Sequence, residues 1–306
     1  MASSDFFGPN GRRTAIAYCA LWALSTAYIG LRGGDWIFPI AALVIFGVIL
    51  SGIIFFLTRK TEAPAPEVSN PARESLVLLA YIVIYAVLLI GLLLGSIKHA
   101  VPGGAEQDLL VLGYKLLIHV AVPAGLILMV GGTIRWQFDA GTERRGFWVL
   151  AILLCGLMFA LLAVVSPGLK QIAALNLAPA AAIAWVLASW AWNSVEAGLC
   201  EEFLFRASLQ SRLTAWFQSP AAGIALTSVL FALSHWPGLY LRGGPEVDGW
   251  SPDPIQVAAF TIATLSPLSV ALGVLWARSR SLLLVVIVHG AIDALPNTAD
   301  LVRSWT

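Results

Sequence analysis

Four ionisable side chains crowd into the stretch SVEAGLCEEFLFR, residues 194–206: Glu196, Glu201, Glu202 and Arg206. Glu202 and Arg206 are four residues apart, the spacing of neighbours on one helix face, so the guanidinium can neutralise that carboxylate. Glu201 points about 100° around the helix from Glu202 and is out of step with Arg206. It is the carboxylate left to face a cavity, where a poised carboxylate can take a proton from water. Further on, FALSHW at 231–236 places His235 one turn after Phe231. VHGAIDAL at 288–295 then places His289 and Asp293 four apart. A carboxylate one turn from an imidazole can orient it and fix its tautomer, and either group can hydrogen-bond a developing oxyanion in the right protonation state. Taken singly, each set reads as well structurally: a helix-end histidine with a backbone partner, or a polar pair joining two helices.

The elements that must position these groups are greasy. The chain has 306 residues, 59% hydrophobic and 11% charged, with mean hydropathy +0.84. Soluble domains carry about 25% charged residues. The composition therefore predicts an all-α, polytopic transmembrane helix bundle. Stretches of about 20 apolar residues number about nine, within a range of eight to ten: 14–32, 36–57, 75–97, 109–131, 147–166, 178–200, 221–239, 256–277 and a short ninth at 281–296. The sixth continues as helix to about residue 217, carrying the Glu201 stretch. Arg12 and Arg13 precede the first apolar run, which reads as a retained helix and not a cleaved signal.

With the N-terminus placed in the cytoplasm, eleven cations fall inside: Arg12, Arg13, Arg59, Lys60, Arg73, Arg135, Arg144, Arg145, Arg212, Arg278 and Arg280. Five fall outside: Arg32, Lys98, Lys170, Arg242 and Arg303. That bias predicts an N-in, C-out integral membrane protein, and the Ala- and Trp-rich composition suggests a bacterial plasma membrane. The Pro-rich segment 61–71 suggests a division into two leading helices and linker (1–72), three further helices (73–177) and a motif-bearing part (178–306). A net charge of +1 gives no basis for nucleic-acid binding. Cys19, Cys155 and Cys200 stand singly in apolar runs, without disulfide or metal-ligand spacing.

Ionisable groups at membrane depth mark function by default, and here three apolar helices bring E-E-x-x-x-R, F-x-x-x-H and H-x-x-x-D in that order. Over roughly residues 178–296 the set resembles the CPBP family of intramembrane proteases, also called the CAAX-protease and bacteriocin-processing, or Abi, family. The resemblance implies an endopeptidase that hydrolyses a peptide bond of a membrane-embedded or lipid-anchored substrate by glutamate-activated water. It makes Glu201 the general base, with Glu202 and Arg206 in the second acidic and the basic positions. His235 would help hold the water, and His289 and Asp293 would stabilise the oxyanion. Many members have Asn at the last position, and a carboxylate donates a hydrogen bond only when protonated.

Zinc stays open as a cofactor, with Glu201, His235 and His289 as its ligands, since three protein ligands plus water are typical of catalytic zinc. The H-E-x-x-H spacing is missing and Arg206 adds positive charge, so the reading leans against a tightly bound metal. Serine and aspartyl intramembrane proteases fit worse, for want of G-x-S-x-G and of a Gly-x-Gly-Asp motif. Two other readings compete: a non-proteolytic immunity or scaffold protein of the same family, and a proton-coupled transporter. Outside the motifs, Asn193 and Glu196 read as structural hydrogen-bonders. Lys115 and His119, four apart on the fourth helix, could reach Glu196 or face a water-filled vestibule.

Overall fold

The computed structural model describes residues 3–61, 63–144 and 146–306. Glu62 of the Pro-rich linker and Arg145 among the counted cations lie outside the described residues. The molecule is 81% helical, with no strand among the described residues. Among the described residues we number nine long helices: α1 (Ser3–Leu31), α2 (Ile37–Leu57), α3 (Pro71–Ala100), α4 (Ala105–Met129), α5 (Phe147–Val165), α6 (179–217), α7 (Pro220–Arg242), α8 (Pro254–Ser279) and α9 (Leu282–Trp305). Eight of them are long and apolar enough to cross a membrane. The other is α6, whose run is interrupted by Glu196, Glu201, Glu202 and Arg206.

Several helix starts follow from local chemistry. Asn70, before Pro71, accepts the Arg73 amide at 3.3 Å, while Glu74 reaches back to the Asn70 amide at 2.7 Å. This is a reciprocal capping box with proline at the first helical position. Ser219 before Pro220 and Asp253 before Pro254 cap α7 and α8 by accepting the amides of Ala222 and Ile255. Ser281 caps α9 through the Leu284 amide.

One expectation is corrected. The last helix is not a short span ending at 296; α9 runs to Trp305, straight through Pro296. Pro296 and the polar residues after it look like a stop signal in one dimension. In the fold, Thr298 is buried with its hydroxyl on the Ala294 carbonyl at 2.6 Å. Ser304 and Trp305 both donate to Asp108 near the start of α4, which holds the final turn.

The interior is built by the last helices. Burial inside the protein reaches 72% of the apolar window of α8 and of α9, against 17% for α1. The first helices therefore present most of their surface outward, while the motif-bearing ones form the centre. α6 lies between two apolar clusters. Phe203 and Ala207 pack with Trp276, Val285 and Ala291 on one side. Leu204, Phe205 and Leu209 pack with Leu78, Tyr85 and Phe231 on the other. α6 and α9 touch backbone to backbone: a Cβ on Gly198 would sit 2.6 Å from the Val286 carbonyl oxygen, and one on Gly290 would sit 2.7 Å from the Ser194 Cα. Small residues at such crossings let transmembrane helices approach this closely.

Polar contacts show which helix ends lie together. At one end, Asn10 donates to the Phe217 carbonyl, Arg278 to Thr58, Arg212 to Glu74 and Arg144 to the Ser279 carbonyl. This N-terminal end gathers the starts of α1, α3 and α5 with the ends of α2, α6 and α8. At the opposite, distal end, Tyr28 and Arg32 at the close of α1 meet Asp253 before α8, and the close of α9 meets the start of α4.

Candidate active site

The middle of α6 departs from regular α-helix. Ser194–Leu199 and Glu202–Gln210 are π-helical, with i→i+5 hydrogen bonding, and Glu201 sits at the junction between them. Widened turns of this kind occur in transmembrane helices where neighbouring helices and side chains re-satisfy the backbone. Here the neighbours are close: every residue from Glu202 to Gln210 is buried.

The two adjacent glutamates face different surroundings. Glu202 is fully buried and sits between Arg206 and His289. Its Oε1 accepts from His289 Nδ1 at 2.6 Å. Its Oε2 lies 3.1 Å from Arg206 Nε, close enough for an ion pair but not aligned as a hydrogen bond. The Arg206 guanidinium, also fully buried, lies over the Phe231 ring with Cζ 4.5 Å from its centroid. That face-on contact supplies part of the stabilisation that hydrogen bonds do not.

Glu201, by contrast, keeps 14% of its side chain exposed and lines a cavity of about 390 Å³. Tyr85, Lys115, His119, His235, Arg242 and Asp248 also line it. His235 Nδ1 donates to the Phe231 carbonyl at 2.8 Å, which leaves Nε2 as the nitrogen available to the cavity. The Phe231 ring packs on the His235 ring and also receives Arg206, so the F-x-x-x-H and E-E-x-x-x-R motifs share one aromatic contact.

His289 approaches from α9. With Nδ1 held by Glu202, its Nε2 faces Asp293 Oδ2 at 3.4 Å and Glu201 Oε2 at 3.9 Å. Glu201, Glu202, Arg206, His289 and Asp293 thus form one connected cluster. His235 joins it through the shared cavity and through Phe231, not through a direct hydrogen bond to the cluster. His289 and Asp293 do not line the cavity themselves; their nearest approach to it is by way of Glu201.

The residues outside the motifs are drawn in as well. Lys115 Nζ donates to Glu196 Oε1 at 2.7 Å, so the α4 lysine meets α6 one turn ahead of Glu201. His119 Nδ1 donates to the Lys115 carbonyl, and its Nε2 accepts from the Tyr85 hydroxyl at 2.7 Å. Asn193 stays structural, donating to the Ser189 carbonyl and hydroxyl. Tyr85, Arg242 and Asp248 were not foreseen from sequence. A tyrosine in an apolar run and charges at a helix end and in a loop carry no signal until the fold sets α3, α7 and the 243–253 loop beside α6.

The zinc expectation can be tested against this arrangement. Among the described residues no three His, Cys, Asp or Glu side chains gather as a metal-binding group. His289 and His235 each hold Nδ1 on an acceptor and keep Nε2, as ligating histidines do, but with Glu201 they are not gathered around one point. Glu201, His235 and His289 do not fit a zinc site as they stand.

Residues 183–295 match a family model described as type II CAAX prenyl endopeptidase Rce1-like. The matched stretch runs from α6 through most of α9 and contains all three motifs, consistent with a CPBP family intramembrane protease. At family level this supports a CAAX-type intramembrane peptidase. No curated protein and no solved structure matches the chain.

Proposed function

We propose that this chain, an integral membrane protein whose residues 183–295 carry the Rce1-like protease pattern, is an endopeptidase that cuts a membrane-associated peptide or protein with water activated by Glu201. The observation that carries the reading is the inequality of the paired glutamates. Glu202 is sealed and committed to Arg206 and His289, while Glu201, one residue away, opens onto the cavity.

In this mechanism a water molecule in the cavity lies between Glu201 and His235. Glu201 takes its proton as the oxygen attacks the scissile carbonyl. The tetrahedral oxyanion forms at the Glu201 edge of the cavity, where His289 Nε2, 3.9 Å from Glu201 Oε2, meets it from the α9 side, with Asp293 beside it; Asp293 donates only if it holds a proton. Glu201 then returns the proton to the leaving nitrogen, the C–N bond breaks, and once the new carboxylic acid has passed its remaining proton to the amine a carboxylate and an ammonium leave. Glu202 positions His289 through Nδ1, and Arg206 balances the charge of Glu202 in a place without solvent. The N-terminus lies in the cytoplasm, and the host membrane is a bacterial plasma membrane.

The test is mass spectrometry of membrane peptides from cells carrying the wild type or Glu201→Gln. Removing a group that acts on the transition state costs about 10²–10³-fold. Products present with the wild type should vanish with the variant at equal protein level. Identical peptide sets from both strains would refute the assignment.

A further inference from the structure

The catalytic cavity has a direction. Besides Glu201 and His235, it is lined by Ile90 and Leu94 in the second half of α3, Lys115 in the first half of α4, and Gly238, Leu239 and Arg242 at the end of α7. Asp248 of the loop after α7 and Phe260 and Thr261 near the start of α8 also line it, while Tyr85, His119, Ser234 and Leu265 line it at mid-helix depth beside Glu201 and His235. From that mid-bundle floor the cavity extends toward the distal end. Arg242 ties that rim together by donating to the Ile90 and Gly91 carbonyls of α3. Gly249, at φ 80°, lets the loop lie directly on Phe260, whose ring would clash with any Cβ there.

The other direction is closed. Below Glu201, α6 is buried continuously from Glu202 to Thr214. A hydrogen-bonded plug surrounds it: Arg212 donates to Glu74 at 2.9 Å, to the Ser208 carbonyl at 3.1 Å and to the Thr133 carbonyl at 3.0 Å. Gln137 donates to the Ala207 carbonyl at 2.7 Å. Glu74, Gln137, Arg206 and Arg212 all have 0% exposure. The open end of the cavity is therefore the distal one.

The charges say which side that is. Ten described cations stand toward the N-terminal end: Arg12, Arg13, Arg59, Lys60, Arg73, Arg135, Arg144, Arg212, Arg278 and Arg280. The distal end has five, Arg32, Lys98, Lys170, Arg242 and Arg303. Short connections rich in Lys and Arg stay in the cytoplasm. The sealed end is the basic end, and the open end is the poor one.

We propose that the Glu201 cavity is served from the non-cytoplasmic side, so that its substrate is the outward-facing segment of a membrane-anchored peptide or protein and not a cytosolic lipidated tail. This rests on the peptidase reading above. Two measurements test it. In a background of Cys19→Ser, Cys155→Ala and Cys200→Ala, single cysteines are introduced as Glu246→Cys in the distal loop and Ala65→Cys in the linker, both exposed sites. A membrane-impermeant maleimide applied to intact cells should label Glu246→Cys fully, and Ala65→Cys only after permeabilisation. In parallel, peptides whose cleavage depends on Glu201 should carry cut sites on the outward side of their anchors. The reverse labelling pattern, or Glu201-dependent cuts confined to cytosolic tails, overturns the sidedness and leaves the peptidase reading standing. Loss of all Glu201-dependent cleavage overturns the peptidase reading and, with it, the outward substrate.

Discussion

The α6–α9 crossing offers a quantitative test of how the cluster is held. Gly290 follows His289 directly, and a Cβ placed on it would lie 2.1 Å from Ser194 Oγ and 2.7 Å from both the Cα and the nitrogen of Ser194. The hydroxyl can rotate away, but the backbone atoms cannot. Carbon contacts settle near 3.5–4.0 Å, so Gly290→Ala should force the helices apart by about 1 Å at this point. The His289 Nδ1 to Glu202 Oε1 bond, now 2.6 Å, would then stretch to roughly 3.5 Å, beyond hydrogen-bond range. Overpacking of this kind typically costs about 1–3 kcal/mol in stability, and a 1 Å misplacement can cost about 10²-fold in rate. The assay pairs thermal unfolding of the detergent-purified protein with the yield of Glu201-dependent peptides in membranes. Gly113→Ala, on α4 with nothing within 4 Å of the added methyl, is the control and should leave both readouts unchanged. If Gly290→Ala melts with the wild type and cleaves within twofold of it, the crossing does not set the site geometry and the reasoning fails.

Other outcomes follow from the same contacts. Glu202→Gln keeps the shape but removes the charge that holds His289 and matches Arg206; cleavage should fall at least about tenfold while the folded protein still purifies, and undiminished cleavage would remove Glu202 from the mechanism. Lys115→Ala and Glu196→Ala, singly and together, should show a coupling of about 0.5–3 kcal/mol in a double-mutant cycle, whereas additive effects would mean that the 2.7 Å contact does not persist in the membrane protein. Arg212→Met strands a buried Glu74 carboxylate and should destabilise by about 3–5 kcal/mol; adding Glu74→Gln should recover part of that loss, and a failure to recover would show that the plug is not organised around this pair.

Much of this molecule is legible in one dimension because lipid imposes a simple rule. Each spanning segment must be helical and apolar for about 20 residues, so the helix count, the order of elements and the extension of α6 to residue 217 could all be read from hydropathy. The same rule makes any ionisable residue conspicuous, which is why Glu201, Glu202, Arg206, His235, His289 and Asp293 stand out before any coordinates are seen. The end of α9 was misread for a related reason. Pro296 and Asn297 break the apolar pattern, and only the neighbouring helices supply the partners that carry the helix on to Trp305.

The sequence by itself determined the residue types, their helices and the charge asymmetry of the two ends. What the tertiary structure decided was partnership. His289 could have turned to Asp293 alone, one turn along its own helix, yet its Nδ1 belongs to Glu202 on α6. Arg212 was counted only as one of the inside cations, but it is buried against Glu74 on α3. Glu201 and Glu202 are equivalent as letters and became unequal only when α9 closed over one and a cavity opened before the other. Hydropathy is a property of a segment and survives in the linear chain. Which carboxylate keeps its water depends on helices far apart in sequence packing at separations of a few ångströms, and no local pattern encodes that.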